Sequence, residues 1–345
     1  MNCHTSTILV AISMAQRLRY THDELNQYFD RVALPKPRRT FNVSKLSDND
    51  KLSYLRLLHK HHLVQIPWEN LTQHYSWHRT VTVHPRLLFN KIVHNPGRGG
   101  YCMEANTFYH HVLLTLGFDV YMTGARIHDP STASYGGWTH CVNLCTIAGV
   151  RYLLDGGLGP NGPPIPFALT HGVPTTHIPH TASQMRLVYE PIPQNLNQAS
   201  KVWVFQHRFD DGQDWVPQYC FPELEFLPED IHAMNFAPWL DPQKFFTHKV
   251  VCARFTTERE KGDGPPPRSA GEAEMEGEID GSLSLNQDVL KWRRRGEKVL
   301  EWGFETEQDR LDALERYFGI RFAEEDVQSI KGTAAAIGAR GPGNA

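Results

Sequence analysis

Arg98-Gly99-Gly100-Tyr101-Cys102-Met103-Glu104-Ala105-Asn106 is the stretch from which the organisation of this 345-residue chain can be worked out. Two glycines let the backbone turn tightly and approach a reacting carbonyl. The cysteine behind them opens an apolar-periodic segment. Ala105, Tyr109, Val112, Leu113 and Leu116 form one stripe and Gly117 supplies a stop, which predicts a helix with Cys102 in its first turn. There the positive end of the helix dipole favours an anionic sulfur.

His140 follows 38 residues later and Asp155 a further 15. Residues 137–147 read as a strand, Ala148-Gly149 as a turn, and Val150 to Asp155 as the returning strand. The separation is odd, so an even-numbered hairpin loop places His140 and Asp155 on one face, opposite or diagonal to each other. Asp155 would orient the imidazole, and His140 would take the Cys102 proton, in the general arrangement of nucleophile, base and orienter. Each residue alone has an ordinary role: a small core hydrophobe, a satisfied strand histidine, an aspartate in a turn. Their conjunction with the glycines points to nucleophilic chemistry.

The block Arg98 to Asn106, with Trp138-Thr139-His140, Tyr152-Leu153-Leu154-Asp155-Gly156-Gly157-Leu158-Gly159 and Ile66-Pro67-Trp68-Glu69-Asn70-Leu71, resembles the signature segments of the arylamine N-acetyltransferases, in the right order from about Tyr20 to Phe322. Trp215 to Phe221 and Phe226 to Phe236 look most like fungal members. The resemblance implies an α/β fold of α+β type: a helical N-terminal domain, a β-barrel middle domain and an α/β lid domain around a cysteine-protease-like Cys-His-Asp core. It implies ping-pong transfer of an acetyl group from acetyl-CoA through Cys102 to an arylamine, arylhydroxylamine or arylhydrazine, with His140 and Asp155 completing the catalytic set. Residue by residue, Trp68, Trp138, Thr139 and Leu158 match positions lining the acceptor pocket, and Gly136 and Gly137 match a segment beside the coenzyme. The family usually has Phe where Trp68 stands and an aromatic where Leu158 stands, so this chain's pocket differs in shape. Malonyl-CoA is an alternative donor, used by some fungal relatives. The same Cys, His, Asp order also serves transglutaminase-like and peptidase activities, and it is compatible with a catalytically silent binding protein.

The chemistry is consistent with the residue types. Pairing with histidine raises the thiolate fraction of a cysteine at neutral pH. The first backbone amides of the Cys102 helix are natural oxyanion donors. An arylamine, weakly basic, arrives neutral at pH 7.

The formal net charge of −3 gives no general attraction to nucleic acid or to an anionic membrane. Six cysteines show no disulfide-framework spacing, which points to a reducing cytoplasm; Cys141 and Cys145 share a strand face and read as packing residues. Nineteen histidines include His59, His61, His62, His110 and His111 in helix-like segments without metal-ligand spacing, so no metal is expected. No dinucleotide fingerprint or P-loop occurs; no resident cofactor is expected, and acyl-CoA would come and go as co-substrate with a small-molecule arylamine as partner. Composition leaves the oligomeric state open. Thr5 to Ala15 faintly resembles a signal peptide but lacks a preceding Lys or Arg.

The expected organisation is a disordered leader over 1–19, a helical domain over 20–118 carrying the cysteine, a β-barrel or curled sheet over 119–220 carrying His140 and Asp155, an α/β lid over 221–330 and a tail over 331–345. Within the lid, residues 258–280 are rich in Gly, Pro and Glu and are expected to be disordered. Ser47 and Asp50, like Thr306 and Asp309, form capping-box pairs at helix starts, and Lys291-Trp292-Arg293-Arg294-Arg295, which could touch the adenosine phosphates of coenzyme A, reads more simply as a solvated turn.

Overall fold

Hydroxyl caps set several helix starts in the computed structural model, which describes residues 17–260 and 271–338. Thr21 caps α1 (His22–Arg31), exchanging hydrogen bonds with Glu24. Ser47 caps α2 (Asp48–Gln65); its hydroxyl accepts the Asp50 amide but donates to the Asp50 carboxylate at 2.6 Å, so that box closes through side chains. The short strand β1 (Trp68–Glu69), α3 (Pro85–His94) and α4 (Cys102–Leu116) follow. Gly117 ends α4 at φ 88°, a left-handed conformation that glycine adopts without a Cβ penalty. Tyr28, Phe29, Leu55, Phe108, Val112 and Leu116 form the core between these helices. Unlike the one-sided stripe read from sequence, α4 is buried on nearly every face, so it runs through the centre of the molecule.

The second layer is one sheet. It comprises β2 (Asp119–Asp129), β3 (Ser134–Tyr135), β4 (His140–Ile147), β5 (Val150–Leu154), β6 (Phe167–Ala168), β7 (Thr175–Thr176), β8 (Gln184–Glu190), β9 (Val202–Arg208) and β10 (Val216–Phe221). Its order is β6-β5-β4-β2-β10-β9-β8-β7, with β3 beside β2. The two-residue strands β6 and β7 end the path without pairing to each other. The region read from sequence as a barrel or curled sheet is thus an open, curled sheet wrapped around Val142, Leu144, Leu153, Phe205 and Tyr219. β10 was not expected as a strand: Pro217 and a bulge between Pro217 and Tyr219 interrupt its alternation.

The third part contains α5 (Pro228–Leu240), β11 (Val251–Thr257), α6 (Glu272–Met275), β12 (Ile279–Asn286), β13 (Val289–Arg294), β14 (Glu297–Gly303), α7 (Glu307–Phe318) and α8 (Glu324–Gln328). Its sheet runs β1-β11-β12-β13-β14, so two residues of the helical region become its edge strand, with Trp68 opposite Ala253 and Glu69 opposite Cys252. Thr306 and Asp309 form the expected box on α7, and Gly319 ends it at φ 71°.

Several expectations about disorder are corrected. In 258–280, Glu260 is buried against Arg254 at 2.8 Å, Met275 is buried in α6, and β12 begins at Ile279; one buried ion pair and one apolar anchor order a stretch whose composition is otherwise that of a loop, while 261–270 lie outside the described residues. Of the leader, Arg17 pairs with Glu225 at 3.0 Å and the Leu18 carbonyl bonds His111, whereas 1–16, with the apolar run, lie outside the described residues. Of the tail, Ala335 is buried and its carbonyl accepts from Gln287 and Arg310; 339–345 lie outside. Lys291 to Arg294 are strand residues of β13, with Trp292 buried and Arg294 paired to Asp280, and only Arg295-Gly296 makes the turn. Among the described residues no helix is long and apolar enough to cross a membrane.

Candidate active site

Two sequence blocks interlock to place Cys102. The Gly100 amide donates to the Pro67 carbonyl and the Glu69 amide to the Gly100 carbonyl, each at 3.2 Å. A Cβ on Gly99 would lie 1.9 Å from the Pro67 oxygen, so the close approach of the two chains requires glycine there. Glu69, fully buried, accepts from Arg98 Nε at 3.0 Å and from the amides of Gly99 and Leu71. Burial alone would raise its pKa, but Arg98 and Lys91 hold it down at about 2. Asn70 binds the Phe246 and Lys249 carbonyls and the Val251 amide, tying the same block to β11. Cys102 is thus the first residue of α4, and the Glu104 carboxylate accepts the Tyr101 amide just before it.

β4 and β5 bring the other two residues. Ile147 pairs with Val150 and Asn143 with Leu154, across a turn at Ala148 (φ 51°) and Gly149 (φ 77°). Extended by one residue, this register puts Asp155 across from Val142, diagonal to His140 on the same face. Asp155 lies just past the end of β5. Its Oδ2 sits 2.8 Å from His140 Nε2, both side chains being buried. That leaves Nδ1 free of the carboxylate, and the Cys102 sulfur lies near enough to the ring to favour its charged form. Sγ also lies 3.6 Å from the Thr139 carbonyl.

Burial opposes charge on both partners, yet the pair is held ionised. For His140 the Asp155 carboxylate, its hydrogen bond and the Cys102 sulfur outweigh desolvation and push the imidazole up to about 10. For Asp155, His140, Asn106 and the Gly157 amide outweigh burial and hold the carboxyl below its usual range. Asn106, one helical turn after Cys102, donates to Asp155 Oδ1 at 2.9 Å and to the Cys141 carbonyl at 2.7 Å, and accepts the Gly156 amide at 2.8 Å. Tyr219 of β10 packs on the His140 ring at 5.0 Å between centroids, and burial with the nearby Asp155 raises its phenol pKa well above the ordinary value.

Of the residues named from sequence, Cys102, His140, Asp155 and Thr139 come together. Trp68 joins the apolar cluster around Cys102, against Phe246 and Gly159. Trp138 is reached through Phe226, 5.5 Å away, which belongs to the same cluster. Leu158 packs against the core of the curled sheet instead. Gly136 and Gly137 are exposed on the turn leading to Trp138. Sequence reasoning assigned no role to Asn106 or Tyr219. The spacing of Asn106, four residues from Cys102 on one helix face, was a usable signal; Tyr219 had none, because β10 was not recognised. The five described cysteines are free, and the described residues contain no cluster of three or more potential metal ligands.

The N-acetyltransferase family profile matches residues 51–261. The N-malonyltransferase FDB2 of Fusarium pseudograminearum is 30% identical, over 94% of this chain and 96% of that protein. Among solved structures, the arylamine N-acetyltransferase of Salmonella typhimurium superposes with a TM-score of 0.69 at 22% identity, covering 90% of this chain and 98% of that one. The Mycobacterium marinum arylamine N-acetyltransferase in complex with CoA gives 0.65 at 22%, covering 90% and 96%. The structural likeness carries the profile match beyond residue 261, and with a profile spanning most of the chain and a relative aligned nearly end to end, the chain belongs to the arylamine N-acetyltransferase family.

Proposed function

We propose that the protein is an arylamine N-acyltransferase that moves an acetyl group from acetyl-CoA to an aromatic amine, hydroxylamine or hydrazine through acetyl-Cys102. The Cys102 thiolate adds to the thioester carbonyl, and the developing oxyanion meets the first amides of α4, those of Cys102 and Met103, which have no intrahelical acceptor. Collapse breaks the bond to the coenzyme sulfur, which leaves with the proton from His140. The neutral amine then adds to the acetyl-cysteine, its proton passes to His140, and the thiolate departs. Asp155 keeps the imidazole oriented throughout and stabilises its charged form in the resting enzyme, before acylation and after deacylation. The acceptor ring would lie among Trp68, Phe226 and Phe246, aromatic groups of the cluster that includes the sulfur.

The observation that carries this reading is the buried 2.8 Å His140–Asp155 contact beside a cysteine at a helix N-terminus. Intact-protein mass spectrometry after incubation with acetyl-CoA and no acceptor tests it: an acetyl adduct on Cys102 that an arylamine discharges is the expected result. No adduct from acetyl-CoA or malonyl-CoA would overturn it. A second reading, malonyl transfer, is favoured by the near full-length similarity to an N-malonyltransferase; turnover of the two donors on one arylamine separates them.

A further inference from the structure

Side chains alternate along β2, so Met122, Gly124 and Arg126 share a face. Met122 packs in the cluster around Cys102. At Gly124 the Phe226 ring lies so close that a Cβ would come within 2.5 Å of it. Phe226 in turn meets Trp138, and the Arg126 guanidinium lies over the Trp138 ring at 3.8 Å from its centroid. Arg126 Nη1 donates to the Gly136 carbonyl at 3.0 Å. The charge is thereby held by a ring and a carbonyl, beside the segment whose Thr139 oxygen touches the Cys102 sulfur.

Arg126 differs from the carboxylate-paired arginines of the fold. Arg98, Arg254 and Arg294 each face a carboxylate within 3.0 Å. Among the described residues no carboxylate pairs with Arg126, and it is partly exposed. Guanidinium has five N–H donors in a rigid fork suited to two oxygens of one anion, and only one contact here is to protein oxygen. Stacking on Trp138 removes much of the rotamer freedom that binding would otherwise restrict.

We propose that Arg126 binds an anionic group of the acyl-CoA donor at the mouth of the Cys102 site; this rests on the acyl-CoA reading above. Two groups of such a donor have the required chemistry, the coenzyme phosphates and the carboxylate of a malonyl unit. The charge would favour acyl-CoA over an uncharged acyl donor and act on donor capture more than on the acceptor half-reaction.

The test compares kcat/KM for acetyl-CoA, malonyl-CoA and p-nitrophenyl acetate, an uncharged ester that acetylates a cysteine by expelling nitrophenolate, in the wild type, Arg126→Gln and Arg126→Lys. In Arg126→Gln, kcat/KM for at least one CoA donor should fall about ten-fold or more relative to that for the ester, chiefly through KM, with partial recovery in Arg126→Lys. Equal losses with both CoA donors assign the contact to the coenzyme phosphates; a loss confined to malonyl-CoA assigns it to the acyl carboxylate. The same factor lost with all three donors, or no loss with either CoA donor, overturns the proposal. A wild type that accepts acetyl from the ester but nothing from either CoA donor removes the donor reading, and this proposal with it.

Discussion

Gly157 lies against Cys102 so tightly that a Cβ on it would come 2.5 Å from Cys102 Cα and 2.9 Å from Asn106 Nδ2. The loop after Asp155 and the first turn of α4 therefore have a fixed separation, and that separation positions sulfur, imidazole and carboxylate relative to one another.

Gly157→Ala should displace one of the two backbones. Because a shift of about 1 Å at a reacting group can reduce rate by about 100-fold, acylation of Cys102 should slow by one to two orders of magnitude in stopped-flow measurements. Gly212→Ala, where an added Cβ meets no atom within 4 Å, is the matched control. Equal acylation rates in the two variants would show that the loop tolerates displacement.

Asp155→Asn keeps the shape of the pair but removes the charge that holds His140 protonated. By analogy with orienting aspartates in general, kcat should fall about 10³- to 10⁴-fold. Alkylation of Cys102 by iodoacetamide at pH 6 should slow in parallel. A loss under ten-fold would mean that the 2.8 Å contact is structural only.

Asn106 satisfies three buried groups at once, so Asn106→Ala leaves Asp155 Oδ1, the Cys141 carbonyl and the Gly156 amide each short of one partner. Unmaking buried hydrogen bonds costs about 1–3 kcal/mol per group. Chemical denaturation should show a loss of at least that size, with a rise in the Asp155 pKa visible as a shifted acidic limb of the rate profile. An unchanged acidic limb would separate Asn106 from the titration.

The pH dependence of stability has two parts with opposite signs. His140 is raised to about 10, so its contribution is complete below pH 6.5 and is lost as pH rises toward 10; Asp155 is lowered, so its contribution is present above the ordinary carboxylate range and is lost as acid protonates it. The Tm difference between wild type and His140→Gln should shrink from pH 7 to 10. By contrast His59, His61, His74, and His177 are lowered by burial to about 4, and His110 and His207 to about 3. The unfolded chain takes up these protons first, so stability should decline between pH 6.5 and 4. Calorimetric unfolding at pH 5.5 in buffers of different ionisation heat should register net proton uptake; none would contradict buried neutral imidazoles.

Local chemistry made much of this protein legible in one dimension. The α4 helix from Cys102 to Gly117, the β4–β5 hairpin, and the caps at Thr306 and Gly319 are written in residues that act over three or four positions, where period, turn conformation and hydrogen-bonding side chains are decisive. Hairpin parity put His140 and Asp155 on one face, opposite or diagonal, and the observed register makes them diagonal.

What only the tertiary structure decided lies where distant segments complete each other. Trp68-Glu69 becomes the edge of a sheet formed by residues 251–303, Glu260 orders the chain around it through Arg254, and Tyr219 reaches His140 from the far side of a curled sheet. Strand pairing and the burial of a charge depend on partners that can stand far away along the chain, and no local pattern encodes the direction from which such a partner arrives.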